Sequence, residues 1–243
     1  MRDTVRADPR HIRAVLFDLG GTLVDERDFS GWTEAASRLY LDFDSDAMAH
    51  AYQEVLTEVD AEPPLPDPEE RFIDFWRRTL ARAARKDVTE STVTKFVATA
   101  RTTLAPIQLY SDTRRCLDQL RHDRRALGVI SNSTSEARVR KILDKVGILE
   151  FFDRIVSSGT EGVEKPNPEI FLRAVRRMRV SPREALYVGN LAYTDAKAAE
   201  AAGLTGVWLN REGFGFGEDP PEITSLLEVP LCIRRIEMGL PIV

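Results

Sequence analysis

The chain has 243 residues, 43% of them hydrophobic and 30% charged, with a formal net charge of −5. That length allows one or two domains with an ample core, and the acidic balance excludes a basic footprint for nucleic acid or an anionic membrane surface. Two cysteines, Cys116 and Cys232, are too few for a disulfide framework and lack metal-site spacing, and no apolar run reaches the roughly 18 residues needed to span a bilayer.

Residues 1–11 form a charged lead-in without the apolar stretch of a signal peptide, so a cytoplasmic protein is expected. Ile12–Phe17 is a short apolar run followed closely by glycine, the pattern of a buried strand. From Trp32 to Leu104 the spacing becomes helical. Leu39, Phe43, Met48, Tyr52, Val55 and Leu56 indicate one or two helices, and the proline-rich segment 62–68 a loop. Asp67 or Asp74, with Phe72, Phe75, Trp76 and Leu80, marks a further helix, and Thr92–Leu104 another.

After Pro106 strands and helices alternate. Asp112 is expected to cap a helix through Leu120, followed by a strand at Ala126–Ile130 and a helix from Glu136 to Val146 that Gly147 closes. Arg154–Ser157 is a strand, and Asn167 caps a helix to Met178 with Pro168 at its first position. Glu184–Val188 is a strand, Thr194–Ala202 a helix ending at Gly203, and Gly206–Leu209 the final strand. The tail is expected to hold one helix around Ile223–Leu227. Strands separated by helices predict an α/β fold: a Rossmann-like parallel sheet covered on both faces. The first strand must rejoin that sheet across a helical stretch. We therefore expect an α/β core of residues 1–24 plus 105–243 and a helical domain, 25–104, inserted after the first strand.

Ligands of open α/β sheets bind beyond the carboxyl ends of the strands. Four strand ends carry chemistry here: Asp18 and Thr22, then Ser131-Asn132, then Lys165 through Ser157-Ser158-Gly159, then Asn190 with Asp195. A carboxylate, a hydroxyl, a lysine and a second carboxylate suit a dianionic phosphoryl group and a divalent metal. Other polar residues have plainer readings. His11, His50 and His122 fall outside these motifs. Arg114, Arg115, Arg121, Arg124, Arg125, Arg173, Arg176, Arg177 and Arg179 follow helical spacing as solvated faces. Trp32, Arg38, Trp76 and Arg77 of the insertion are candidates to face a substrate, although aromatics at this helical spacing are more often core.

The stretch Ala-Val-Leu-Phe-Asp18-Leu-Gly20-Gly21-Thr22-Leu-Val-Asp25 resembles the first motif of the haloacid dehalogenase-like (HAD) hydrolases, Asp-x-Asp-x-Thr, with Gly20 in place of the second acid. The four motifs in order, with a helical insertion after the first, are similar to HAD hydrolases that carry the smaller helical cap, and the resemblance covers residues 12–228. It implies Asp18 as nucleophile and metal ligand, and Thr22 as the hydroxyl that orients the site. It further implies Ser131 as the phosphate-binding hydroxyl and Lys165 as the cation joining nucleophile and phosphate. Leu19, Gly20 and Asn132 would line the substrate with Ser131 and Lys165. Mg²⁺ would be held by Asp18, the Gly20 carbonyl, Asn190 and Asp195, in a site weakened because Asn190 stands where an acid is usual.

The activity so implied is a Mg²⁺-dependent phosphatase of a small phosphorylated metabolite, working through an aspartyl-phosphate on Asp18 beneath a closing cap. Gly20 removes acid–base help typically worth about 10²–10⁴-fold, so slow or atypical turnover is expected. Asp25 lies near the gap in sequence, but the intervening turn is expected to point it elsewhere. The alternatives are a 2-haloacid dehalogenase-like hydrolase, which needs neither second acid nor metal, and a degenerate HAD binding protein. No motif specifies the substrate or an oligomeric state.

Overall fold

The computed structural model describes residues 11–27, 29–62, 68–100, 107–213 and 220–242. The chain opens with β1 (Ala14–Phe17) and β2 (Val24–Asp25), then runs through α1 (Phe29–Ser37), α2 (Ser45–Ala61), α3 (Pro68–Ala84) and α4 (Glu90–Ala100). It continues as β3 (Gln108–Leu109), α5 (Thr113–His122), β4 (Ala126–Ser131), α6 (Glu136–Lys145), β5 (Arg154–Ser157), α7 (Ser158–Glu161) and α8 (Pro168–Met178). Then come β6 (Ala185–Gly189), a π-helical turn (Ala192–Lys197), α9 (Ala198–Ala201), β7 (Thr205–Leu209), β8 (Glu222–Ile223) and α10 (Val229–Glu237). Two compact units result: residues 1–25 with 107–243, and residues 26–106.

In the first unit six parallel strands form one sheet in the order β5-β4-β1-β6-β7-β8. The four residues of β1 are all buried, as a central strand covered on both faces requires. Its side chains alternate. Val15 and Phe17 join Leu117, Leu143 and Ile233 in one core layer, while Ala14 and Leu16 join Phe171, Val175 and Ala199 in the other. Phe17 stands opposite both Val129 and Val188. The strand order reverses at β1, so the residues after Phe17, Ile130 and Val188 emerge at a topological switch point.

The C-terminal tail departs from the expected single helix. Ile223 belongs to β8, Leu226–Glu228 is a short 3₁₀ turn with a Ser225–Glu228 capping box, and α10 follows with Pro230 in its first turn. Pro230 marks a start rather than a stop, because the first-turn N–H has no helical partner. β7 is not the last strand: the Asn210 amide donates to the Ile223 carbonyl at 2.8 Å.

Asp112 precedes α5 but makes no side-chain cap for it. Its carboxylate accepts from Ser225 Oγ and the Leu226 amide, each at 2.9 Å, and from both terminal nitrogens of Arg211. Burial pushes the carboxyl up, but Arg211, Leu226 and Ser225 together outweigh it and hold it below its ordinary value of 3.8. A carboxyl depressed in the fold stabilises it above the unfolded-state value, and that contribution disappears as pH falls through the folded-state value. Urea unfolding should therefore show wild type losing stability below about pH 4, with a shallower loss in Asp112→Asn.

Arg125 is not a solvated-face residue. Its side chain is 14% exposed and pairs with Glu237 at 2.8 Å while also bonding the Ile12 carbonyl, because it tethers α10 beneath the start of β1. Arg173, Arg176 and Arg177 pair with Glu161 or Glu169.

The second unit packs α1–α4 around Met48, Leu80, Val93 and Phe96. Asp74 lies inside α3, paired with Arg77 and Arg78, and does not start it. Asp67 with the rest of the predicted loop's interior, 63–67, and the end of the last predicted helix, 101–104, lie outside the described residues. Trp32 and Trp76 meet edge-to-face with centroids 5.0 Å apart, and Trp76 also packs on Phe96. These aromatics are core of the unit, while Arg38 pairs with Glu34 and Arg77 with Asp74.

Candidate active site

Asp18 is the first residue beyond β1, and its amide still donates to the Val188 carbonyl at 2.9 Å. The chain then turns tightly. The amides of Leu23 and Val24 both donate to the Leu19 carbonyl, and Gly21 donates to the Val24 carbonyl. Leu19 faces the core, leaving its amide, which favours ionised Asp18, as its contribution to the site. Gly21 has φ +78°, and a Cβ there would come within 2.5 Å of the Asn190 side-chain nitrogen, so only glycine fits. The buried Thr22 hydroxyl faces Asn190 Oδ1 at 3.4 Å.

Lys165 is the centre of the site. It precedes α8, whose start is fixed by Asn167 as N-cap and Pro168 in the first turn. Asn132 clasps its backbone twice: the Lys165 amide donates to Asn132 Oδ1 and Asn132 Nδ2 donates to the Lys165 carbonyl, each at 2.9 Å. Asn132 thus has a positioning role beside the substrate-lining one expected of it, because both ends of its amide hold the lysine backbone. Lys165 is only 4% exposed. Its Nζ donates to Asp18 Oδ1 at 2.7 Å, Asp195 Oδ1 at 2.6 Å and the Tyr187 hydroxyl at 3.0 Å. An ammonium has three protons, and all three are placed.

Asp195 sits on the π-helical turn, where a regular helix was expected, and is fully buried. Glycines make room for it. A Cβ on Gly189 would lie 2.3 Å from Asp195 Cγ, and one on Gly206 would lie 2.1 Å from the Ala196 carbonyl oxygen. Asp195 Oδ1 faces Lys165 and Tyr187, while Oδ2 accepts from the Leu191 amide at 3.1 Å. Asp195 is thus the lysine's partner through Oδ1, while Oδ2 accepts a single amide and keeps acceptor capacity for the metal expected of it. Ser131 ends β4 and is 8% exposed. Asn190 follows β6, its carbonyl held by Trp208 Nε1 at 3.1 Å. Asp25 pairs within β2, opposite Gln108.

Burial pushes Asp18 up to about 6, with Lys165 opposing and Asp195 adding to the rise. Burial works to lower Lys165, but Asp18 and Asp195 outweigh it and hold its ammonium above the ordinary lysine value. Burial and the two carboxylates push Tyr187 far up, so it remains a neutral phenol.

Tyr187 was missed in the sequence as a site residue. Its signal was a phenol inside the otherwise aliphatic run of β6, since a buried hydroxyl needs a partner. It accepts one lysine proton and donates onward to Asp195 Oδ1 or the Ile130 carbonyl. Tyr187→Phe should keep the fold at a cost of about 1–3 kcal/mol for the partners left short, measured by urea unfolding; an unchanged midpoint would contradict the network.

Among the described residues no group of three His, Cys, Asp or Glu side chains is placed to hold a metal. The oxygen donors available for a metal are the Asp18 oxygen that Lys165 does not hold, the Gly20 carbonyl, which neither bond of the Gly20–Val24 bridge uses, Asn190 Oδ1 and Asp195 Oδ2. Carboxylates with neutral oxygens are the donor chemistry that suits Mg²⁺.

Comparison with known proteins settles the family, since the haloacid dehalogenase-like hydrolase family matches residues 12–203. The chain belongs to it. A glyceraldehyde 3-phosphate phosphatase of Methanopyrus kandleri is 32% identical over 210 residues, spanning 82% of this chain and 84% of that protein. An (S)-2-haloacid dehalogenase of a Pseudomonas strain is 25% identical over 90% of this chain and 94% of its own. A magnesium-bound HAD hydrolase of Bacillus subtilis shares the fold with a TM-score of 0.66 at 22% identity, over 92% of this chain and 99% of that one. This HAD-family hydrolase has, among its described residues, no helix long and apolar enough to cross a membrane.

Proposed function

We propose that the protein hydrolyses a small phosphomonoester through an aspartyl-phosphate on Asp18. The observation that carries this reading is the 2.7 Å contact between Lys165 Nζ and Asp18 Oδ1 at the end of the central strand. It keeps an ionisable nucleophile beside a cation at the place where a phosphoryl group would enter.

An Asp18 oxygen attacks phosphorus in line, forming the acyl-phosphate bond as the bond to the leaving alkoxide breaks. In this reading the Lys165 charge and the Ser131 hydroxyl would offset the charge on the equatorial oxygens. Water then attacks the same phosphorus, releasing inorganic phosphate and restoring the carboxylate. Gly20 offers no proton to the alkoxide and takes none from the water, so solvent or the substrate supplies both services. Asp18, the Gly20 carbonyl, Asn190 and Asp195 are the residues that would hold Mg²⁺, which would supply charge neutralisation when bound. The helical unit 26–106 is read as the cap that excludes water and selects the substrate. The substrate class is a small phosphorylated metabolite, in keeping with the names of the phosphatase relatives.

Turnover of p-nitrophenyl phosphate with and without EDTA, in wild type and Gly20→Asp, tests the reading. We expect slow, chelator-sensitive hydrolysis, faster by about 10²-fold or more when the acid is restored. No phosphate release by either protein would overturn it.

A second reading is favoured by one observation: neutral residues, Gly20 and Asn190, occupy both positions where phosphatases of the family place acids. A dehalogenase needs no acid there, because halide leaves without a proton. EDTA-resistant halide release from a 2-haloacid, without phosphate release, would select it. Absence of both activities would leave a binding protein, against which stands the burial of Asp18, Lys165 and Asp195 together.

A further inference from the structure

The Gly20-Gly21-Thr22 turn has two adjacent glycines and no side chain of its own at the second acid position, so its backbone needs an external anchor. Arg211, two residues beyond β7, provides one. Its Nη2 donates to the Thr22 carbonyl at 2.8 Å. The guanidinium is locked end-on by Asp112, with Nη1 to Oδ2 at 2.9 Å and Nη2 to Oδ1 at 3.0 Å, and lies 4.0 Å above the Tyr110 ring. Asp112 is in turn fixed by Ser225 and Leu226. The two side chains are 16% and 9% exposed. The next carbonyl, Leu23, accepts from Thr113 Oγ1 at 2.9 Å and the Tyr110 amide at 3.3 Å. One side of the turn is therefore gripped through its carbonyls, while the Thr22 hydroxyl on the other faces Asn190.

We infer that Arg211 is a positioning residue that fixes the Gly20–Thr22 turn beside Asp18 by holding the Thr22 carbonyl, with Asp112 and the C-terminal segment as its mount. Only a planar guanidinium serves both partners at once: the fork engages the carboxylate and a remaining Nη2 proton reaches the carbonyl. A lysine keeps the charge for Asp112 but loses that second reach. The kinetic half of this inference rests on the phosphatase reading; the structural half does not.

The test uses the full chain as wild type, Arg211→Lys, and the double variant Arg211→Met with Asp112→Leu. The double variant removes the buried pair without orphaning a charge, a replacement that folds tolerate. Amide hydrogen exchange is read at Leu23 and Val24, with amides of β4 and α8 as internal reference. Both variants should exchange about tenfold faster at Leu23 and Val24 alone. With p-nitrophenyl phosphate and Mg²⁺, kcat should fall roughly 10–10²-fold at unchanged KM. A general loss of stability would instead speed exchange everywhere. Leu23 and Val24 as protected as in wild type, in either folded variant, overturns the inference; so does wild-type kcat. If wild type itself shows no turnover, the phosphatase reading falls and the exchange result alone decides the role of Arg211.

Discussion

Asp18→Asn should abolish turnover while leaving the fold in place. The asparagine oxygen still accepts from Lys165, and the lysine keeps Asp195 and Tyr187. The thermal midpoint should therefore move little. A neutral amide cannot form the acyl-phosphate, and loss of a covalent nucleophile lowers kcat by a factor on the order of 10⁴ or more. Steady-state kinetics beside calorimetry separates the two effects. Activity within tenfold of wild type would remove Asp18 from the chemistry.

Lys165→Met has the largest effect on stability. Two buried carboxylates, Asp18 and Asp195, each lose the partner that lay within 2.7 Å. Breaking a buried pair from one side costs about 3–5 kcal/mol, and here the lost cation served two anions. The deficit should shrink on acidification. A carboxyl whose folded-state pKa exceeds its unfolded value binds its proton more tightly in the fold, so stability rises as pH falls. Asp18 already sits at about 6 with the lysine present, and its removal pushes the carboxyl further up. Urea unfolding of the variant should show a smaller gap from wild type near pH 5 than near pH 8. A gap independent of pH would contradict the network.

The sheet was legible because its strands are short apolar runs between glycines and caps. Asn167-Pro168 started α8 where expected, and the order of motifs placed Asp18, Ser131, Lys165 and Asp195 at successive strand ends. Three features were hidden, each for a physical reason. Asn132 has the composition of a ligand-binding amide, and only the paired loops show it clasping the Lys165 backbone. Tyr187 looks like one more buried strand residue until its hydroxyl meets Lys165. Arg211 and Asp112 are far apart in sequence, and their pairing depends on how β7 and the tail cross the start of α5. The tail itself was misread because Ile223 pairs with β7 as a strand and Leu226–Glu228 makes only a 3₁₀ turn, so the helix begins later, at Val229.

The most direct test of the central claim is rapid-quench kinetics with p-nitrophenyl phosphate and Mg²⁺, followed by peptide mapping of the trapped protein. Nitrophenolate leaves without a proton donor, so the missing acid at Gly20 should slow hydrolysis of the acyl-phosphate more than its formation. We predict a stoichiometric burst of nitrophenolate, a phosphoryl group on Asp18, and neither in Asp18→Asn. Turnover without a burst and without label on Asp18, or a burst that persists in Asp18→Asn, would contradict phosphoryl transfer through this residue.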